Sequence, residues 1–202
     1  MKKEDVLGSI RLFFALTVLL GGAYPLAVWG IGQAAFREKA NGSFLRMKES
    51  SGASSDRVVG SALIGQSFHS QKFFHSRPSA ASDAGYDGTA SGGTNLGPTS
   101  KKLADAIRDR VAALRAENPS AAGAPLPADA VTSSGSGLDP HISPEYARLQ
   151  ITRVSRETRI PAADLEVLVA SRTEGRFLGL FGEPRVNVLL LNLDLLARGA
   201  AP

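Results

Sequence analysis

The chain contains no cysteine among its 202 residues. That excludes disulfide staples, thiolate metal sites and a cysteine nucleophile, and it leaves the compartment open. Histidine is nearly as scarce, with His69, His75 and His141 the complete set. Aromatics make up 6% and cluster early, and the net charge of +4 is scattered rather than gathered into a basic stripe. Nucleic-acid binding therefore has little support. Two catalytic signatures are also missing: no G-x-x-x-x-G-K-[ST] loop for nucleotide phosphates and no G-x-S-x-G elbow for a serine hydrolase.

What the chain does have is one long uncharged run. From Leu12 to Phe36 no residue is charged, and Leu12 to Ile31 reads LFFALTVLLGGAYPLAVWGI. A helix rises about 1.5 Å per residue, so roughly 20 apolar residues cross a hydrocarbon core of about 30 Å. No later stretch competes, because Leu189 to Leu191 is bracketed by Asn187, Asn192 and Asp194. A cleaved signal peptide would share the basic Lys2-Lys3 start and the small residues around Gln33. The length of the run, acidic Glu4 and Asp5, and interfacial Trp29 favour a retained anchor over 12–36. Charge alone does not orient it: Lys2, Lys3 and Arg11 precede the run, and Arg37, Lys39, Arg46 and Lys48 follow. Residues 1–11 as a cytoplasmic tail, with the C-terminal domain translocated, is the default expectation. Within the run, Pro25 removes a backbone donor, Gly21 and Gly22 thin the helix, and Ala23 with Ala27 forms a small-x-x-x-small pair. So many small residues suit a helix packed against a larger membrane protein.

Residues 37–56 read as a tether, and 57–202 as one small α+β domain. A Pro/Ala/Gly-rich excursion, PSAAGAPLPADA, occupies 119–130. Leu103, Ile107, Val111 and Leu114 predict a helix capped by Thr99 or Ser100. Ser143-Pro144 caps a second, with Tyr146, Ala147, Gln150, Ile151 and Val154 on one face. Pro161 opens a third, carrying Leu165, Leu168 and Val169. RVVGSALIG at 57–65 and VNVLLLN at 186–192 read as strands.

Two loops echo each other. SGGTNLGP (Ser91 to Pro98) and SSGSGLDP (Ser133 to Pro140) share Ser, Gly, Leu and Pro at the first, third, sixth and eighth positions. Chance matches are common in Ser/Gly/Pro-rich sequence, so a duplicated unit is a weak inference. Glycine-rich turns entering helices can cradle phosphates; without the P-loop pattern, turns that present backbone to a protein partner are the better reading. The docking or structural residues expected here are Ser91, Gly92, Gly93, Asn95 and Gly97 in one loop. In the other they are Ser134, Gly135, Gly137, Asp139, His141 and Ser143. Ser136, Asp139 and His141 include the residue types of a hydrolase triad, and an anchored exoplasmic hydrolase is the alternative function; their crowding argues against it. The histidines lack the i, i+4 spacing of a helical zinc site, so no metal is expected.

Taken in order, several blocks resemble the C subunit family of the bacterial Kdp potassium-uptake ATPase. They are Tyr24-Pro25, Gly60-Ser61, Ile64-Gly65-Gln66, Phe68, Arg77-Pro78-Ser79-Ala80, the 91–98 loop and Ser134 to Ser143. They continue with Ala147, Gln150, Arg153-Val154, Gly182 to Leu189, and Asn192. Thr94 and Ser133 depart from the family pattern while keeping size and turn chemistry. The resemblance implies a non-catalytic accessory subunit with no cofactor of its own. Its implied partners are a potassium-binding channel-like subunit, a P-type ATP-hydrolysing subunit and a small single-span peptide. It also implies a single-pass bacterial inner-membrane protein, N-terminus inside and domain on the outer face. A catalytic-chaperone role that raises ATP affinity, with contact to the nucleotide, comes with the family, and conflicts with a domain outside the cytosol.

Overall fold

The computed structural model describes residues 3–47 and 56–199. The chain divides into two compact units, one ending at Val59 and the other starting at Gly60. The architecture is a single long N-terminal apolar helix followed by a small α+β domain.

In the first unit, helix α1 (Lys3–Val18) passes through a π-helical turn, Leu19–Ala23, into α2 (Tyr24–Ala35). Proline explains the turn. Pro25 has no N–H to give the preceding turn, and the Tyr24 N–H reaches back five residues to the Leu19 carbonyl instead. The helix starts well before Leu12, since Glu4 and Asp5 in its first turn complement the dipole. It stops at Ala35, one residue short of the uncharged run, because Phe36 (φ −136°, ψ 37°) leaves helical geometry. Glu4–Ala35 is long and apolar enough to cross a membrane. A short α3 (Arg37–Ala40) and strand β1 (Phe44–Met47) follow, and β1 pairs with β2 (Arg57–Ser61). Part of the expected tether, 48–55, lies outside the described residues, as do Lys2, Lys3's side chain and Lys48.

The second unit is built on α4 (Lys101–Glu117), α5 (Pro144–Thr158), α6 (Ala162–Ser171) and α7 (Val188–Ala197). A three-stranded antiparallel sheet runs in the order β3 (His141–Ile142), β5 (Arg185–Asn187), β4 (Thr173–Glu174). Ile142 and Thr173 both pair with Val186, which is fully buried. Ser100 caps α4 by accepting from the Leu103 N–H at 3.4 Å, and Ser143 caps α5 by accepting from the Tyr146 N–H at 3.0 Å. Helix α5 turns its Tyr146, Ala147, Ile151 and Val154 face into the core, against Leu165, Leu168 and Val169 of α6.

The strand expected over 186–192 is only half correct. Strand β5 ends at Asn187, and the leucine-rich remainder is helix α7. Asn187 accepts a hydrogen bond from the Leu190 N–H at 3.1 Å, a cap that alternation counting overlooks. Val188, Leu191 and Leu195 then fall at helical spacing and are all buried. Likewise β2 stops at Ser61, and residues 62–64 form a turn.

The segment from Ala62 to Ser100 has no regular element, so its buried backbone needs other partners. Side-chain amides supply them. Asn192 accepts from the Phe74 N–H and donates to the Phe74 carbonyl, both at 2.9 Å. Gln150 does the same for His75, at 2.7 and 3.1 Å. Arg153, 2% exposed, donates to the carbonyls of Gln71 and Phe73 and to the side chains of Asn118 and Gln150. Burial pulls the Arg153 pKa down, with no carboxylate in direct contact among the described residues.

Candidate functional site

The two echoing loops touch. The Gly92 N–H donates to the Ser136 carbonyl at 2.8 Å, and Ser91 Oγ donates to the same oxygen at 3.0 Å. Gly93 and Gly135, which share the third position of the pattern, meet so closely that a Cβ on Gly93 would lie 2.9 Å from the Gly135 oxygen. Gly137 is more constrained: its φ is +68°, and a Cβ there would sit 2.7 Å from the Ala81 nitrogen and 2.8 Å from the Gly92 oxygen. Gly97 and Gly135, by contrast, face open space, and Asn95 sits exposed at φ 50°.

The loop around Gly137 is tied down on every side. Ser134 Oγ accepts from the Gly137 N–H at 2.8 Å, Ser136 Oγ accepts from the Leu138 N–H at 3.1 Å, and Ser79 Oγ donates to the Gly137 carbonyl at 2.7 Å. The Gly65 N–H donates to the Leu138 carbonyl at 2.8 Å, and a Cβ on Gly65 would press to 2.6 Å from the Asp139 carbonyl oxygen.

Asp139 is the electrostatic centre of the junction. Arg77 Nη1 donates to its Oδ2 at 3.0 Å, the His141 N–H donates to its Oδ1 at 3.0 Å, and His141 Nδ1 lies 3.5 Å from the same oxygen. Burial opposes ionisation of Asp139, but hydrogen bonds from the His141 side chain and backbone, with the Arg77 charge, outweigh it. Its pKa lies below the ordinary carboxylate value. Nearby, burial pushes the Tyr86 hydroxyl up to about 12, and that hydroxyl donates to the Arg77 carbonyl at 2.9 Å.

Beside this junction lies an open cleft of about 630 Å³, lined by Arg77, Asp129, Asp139, His141, Glu145 and Arg185 among others. Both signs of charge line it. Asp129 clamps the start of α5, accepting from the Ser143 N–H at 2.6 Å and from Ser143 Oγ at 2.9 Å.

Most of the residues singled out in sequence thus converge: Ser91, Gly92, Gly93, Ser134, Gly135, Gly137, Asp139 and His141 form one interlocked junction, and Ser143 anchors the adjoining helix. Asn95 and Gly97 stand outside it. Ser136 is exposed, and no hydrogen bond links its Oγ to His141, so the Ser–His step of a triad is not assembled. The histidines are engaged separately. His69 meets Ser67, His75 lies between Ser70 and Glu117, and His141 lies on Asp139. Burial, then the Arg153 charge, holds the His75 pKa below 6.5. No group of three or more His, Asp or Glu side chains suited to a metal occurs among the described residues. In the helix, Gly21, Gly22 and Ala23 lie within the π turn and Pro25 and Ala27 follow it in α2, and a Cβ on either glycine would meet nothing within 4 Å.

Sequence reasoning missed what Gln150, Arg153 and Asn192 do. The available signal was the polar residue on an apolar face: Gln150 falls among Ala147, Ile151 and Val154 on the stripe that α5 buries.

Comparison with known proteins agrees over nearly the whole length. The family described as KdpC, the c chain of K+-transporting ATPases, matches residues 6–197. A Koribacter versatilis protein named potassium-transporting ATPase KdpC subunit is 48% identical, over 96% of this chain and 94% of its own. Proteins of the same name from Sorangium cellulosum and Caulobacter vibrioides are each 53% identical, over 93% and 96% of this chain and 94% and 92% of their own. The chain belongs to the family of c chains of K+-transporting ATPases.

Proposed function

We propose that this chain is a non-catalytic accessory subunit of an ATP-driven potassium-uptake complex, anchored by its N-terminal helix in a bacterial inner membrane with its domain on the outer face. Its partners are a potassium-binding channel-like subunit, a P-type ATP-hydrolysing subunit and a small single-span peptide. Helix α1–α2 carries the small residues that allow close helix packing, and the loop junction with its charged cleft presents a rigid docking surface.

The observation that carries this reading is how the glycine-loop donors are used. A phosphate cradle needs backbone N–H groups pointing at the ligand. Here those of Gly92, Gly137 and Leu138 are bonded within the junction, and Ser100 and Ser143 cap the following helices. Any increase in ATP affinity of the complex is therefore transmitted through subunit contacts rather than through nucleotide held by this chain. Photoreactive azido-ATP added to the assembled complex should label the ATP-hydrolysing subunit and leave this chain unlabelled. ATP-competable labelling of this chain would overturn the reading.

A further inference from the structure

Between β4 and β5 the domain extends a turn, Arg176 to Glu183, whose tip reads Phe177-Leu178-Gly179-Leu180-Phe181. Its four large apolar side chains are 64–76% exposed, the highest values among the domain's large hydrophobic residues. We propose that this tip inserts into the interfacial region of the lipid bilayer to which the chain is anchored, as a second and shallow membrane contact of the domain.

Backbone chemistry supports lipid as the occupant. A backbone enters a region of low polarity more readily the more of its N–H groups are satisfied internally, and at this tip those of Phe177, Gly179, Leu180 and Phe181 are, which leaves the Leu178 N–H to headgroups and interfacial water. In this turn Phe177 and Phe181 exchange both backbone hydrogen bonds, at 2.8 and 3.0 Å. The Gly179 N–H donates to the Arg176 carbonyl and the Leu180 N–H to the Phe177 carbonyl. At the base, Arg176 holds both carboxylate oxygens of Glu183 at 3.0 and 2.7 Å, and Arg185 pairs with Glu174 at 3.0 Å. The apolar tip thus rises from a polar collar whose charges are matched, the arrangement of a segment that sits at an interface.

Local conformation points the same way. Leu178 and Gly179 have φ of 53° and 74°, the positive pair that a tight turn most readily fills with Asn-Gly. A leucine there is conformationally unfavourable and gains nothing inside the fold, since it is 76% exposed. An apolar environment outside the fold supplies what the fold does not.

This inference rests on the helix Glu4–Ala35 spanning a bilayer, and the test separates the two. Because the chain has no cysteine, Leu180→Cys and, as a control, exposed Ser120→Cys each give a unique spin-label site in the full-length protein. Both variants are reconstituted into vesicles of phosphatidylethanolamine and phosphatidylglycerol, floated after alkaline carbonate treatment, and probed for relaxation by oxygen and by a water-soluble nickel chelate. The proposal expects flotation of both, with an oxygen-to-nickel ratio several-fold higher at Leu180→Cys than at Ser120→Cys. Equal ratios with intact flotation overturn the lipid contact alone. Shielding from both reagents that arises only when the partner subunits are added assigns the tip to a protein pocket and also overturns it. Loss of flotation removes the anchor reading, and this inference with it.

Discussion

In the N-terminal helix, Leu12, Phe13, Leu20, Leu26 and Ile31 are all exposed, and no residue of α1 or α2 whose burial is described is buried. In the domain the arrangement is reversed: Gln150, Arg153, Asn118 and Asn192 are inside, alongside Phe74, Leu165 and Leu191. The helix satisfies its backbone by itself, so it can present an apolar surface to its surroundings. The domain contains a long segment without regular structure and must recruit side chains to do what a neighbouring strand would do. The same physical demand, that buried backbone be hydrogen-bonded, thus selects apolar residues in one region and buried polar ones in the other.

Removing one recruited amide is the strongest way to break this comparison. Gln150→Leu keeps the apolar face continuous but orphans the His75 N–H and carbonyl and takes a partner from Arg153. Each buried unsatisfied group costs roughly 1–3 kcal/mol, so a loss of about 4 kcal/mol is expected in denaturant unfolding of the domain. A truncation in the helix such as Leu20→Ala should leave that unfolding curve unchanged. Equal sensitivity of the domain to both substitutions would dissolve the distinction.

A second test stays inside the domain. Gly137→Val forces a β-branched residue to φ +68° against backbone atoms of Ala81 and Gly92, and should cost at least about 3 kcal/mol. Gly97→Val meets nothing within 4 Å and should change stability by less than about 0.5 kcal/mol. Thermal unfolding of the two variants measures the contrast directly.

Asp139→Asn is milder, because it keeps shape and an acceptor for the His141 N–H while weakening the Arg77 contact. A loss of about 1 kcal/mol near neutral pH is expected. Since the folded-state pKa of Asp139 is depressed, its contribution is present above 3.8 and is lost as pH falls through the folded value. The variant should accordingly lose less stability than the parent over that acid limb.

The smallest effect belongs to His75, whose pKa is also lowered. Below 6.5 the unfolded chain binds a proton that the folded domain resists, so stability should decline as pH falls from 7 through 6.5. His75→Gln should flatten that slope in unfolding measured between pH 7 and 5.

Legibility in the sequence followed whether a feature depends on near neighbours. The caps Ser100 and Ser143 act over three residues, so α4 and α5 are legible in the local sequence. The run after Asn187 looked like a strand because branched and leucine residues suit both periods, and the deciding cap comes from one side chain. The convergence of the 91–98 and 133–140 loops was visible only as a shared pattern. Nothing local says that Gly92 will bond Ser136, since that contact depends on how the whole intervening segment packs. The amides of Gln150 and Asn192 serve partners 75 and 118 residues away, beyond any periodicity argument.

The proposed role, a docking subunit of a potassium-transporting ATPase rather than an enzyme in its own right, is open to one decisive experiment. Affinity purification of the tagged, full-length chain from gently solubilised membranes, with mass spectrometry of what accompanies it, tests that most directly. The proposed role predicts stoichiometric recovery of the channel-like and ATP-hydrolysing subunits, and a sharp fall in their recovery with Gly137→Val. Recovery of the folded chain alone, with hydrolytic activity abolished by Ser136→Ala, would contradict it.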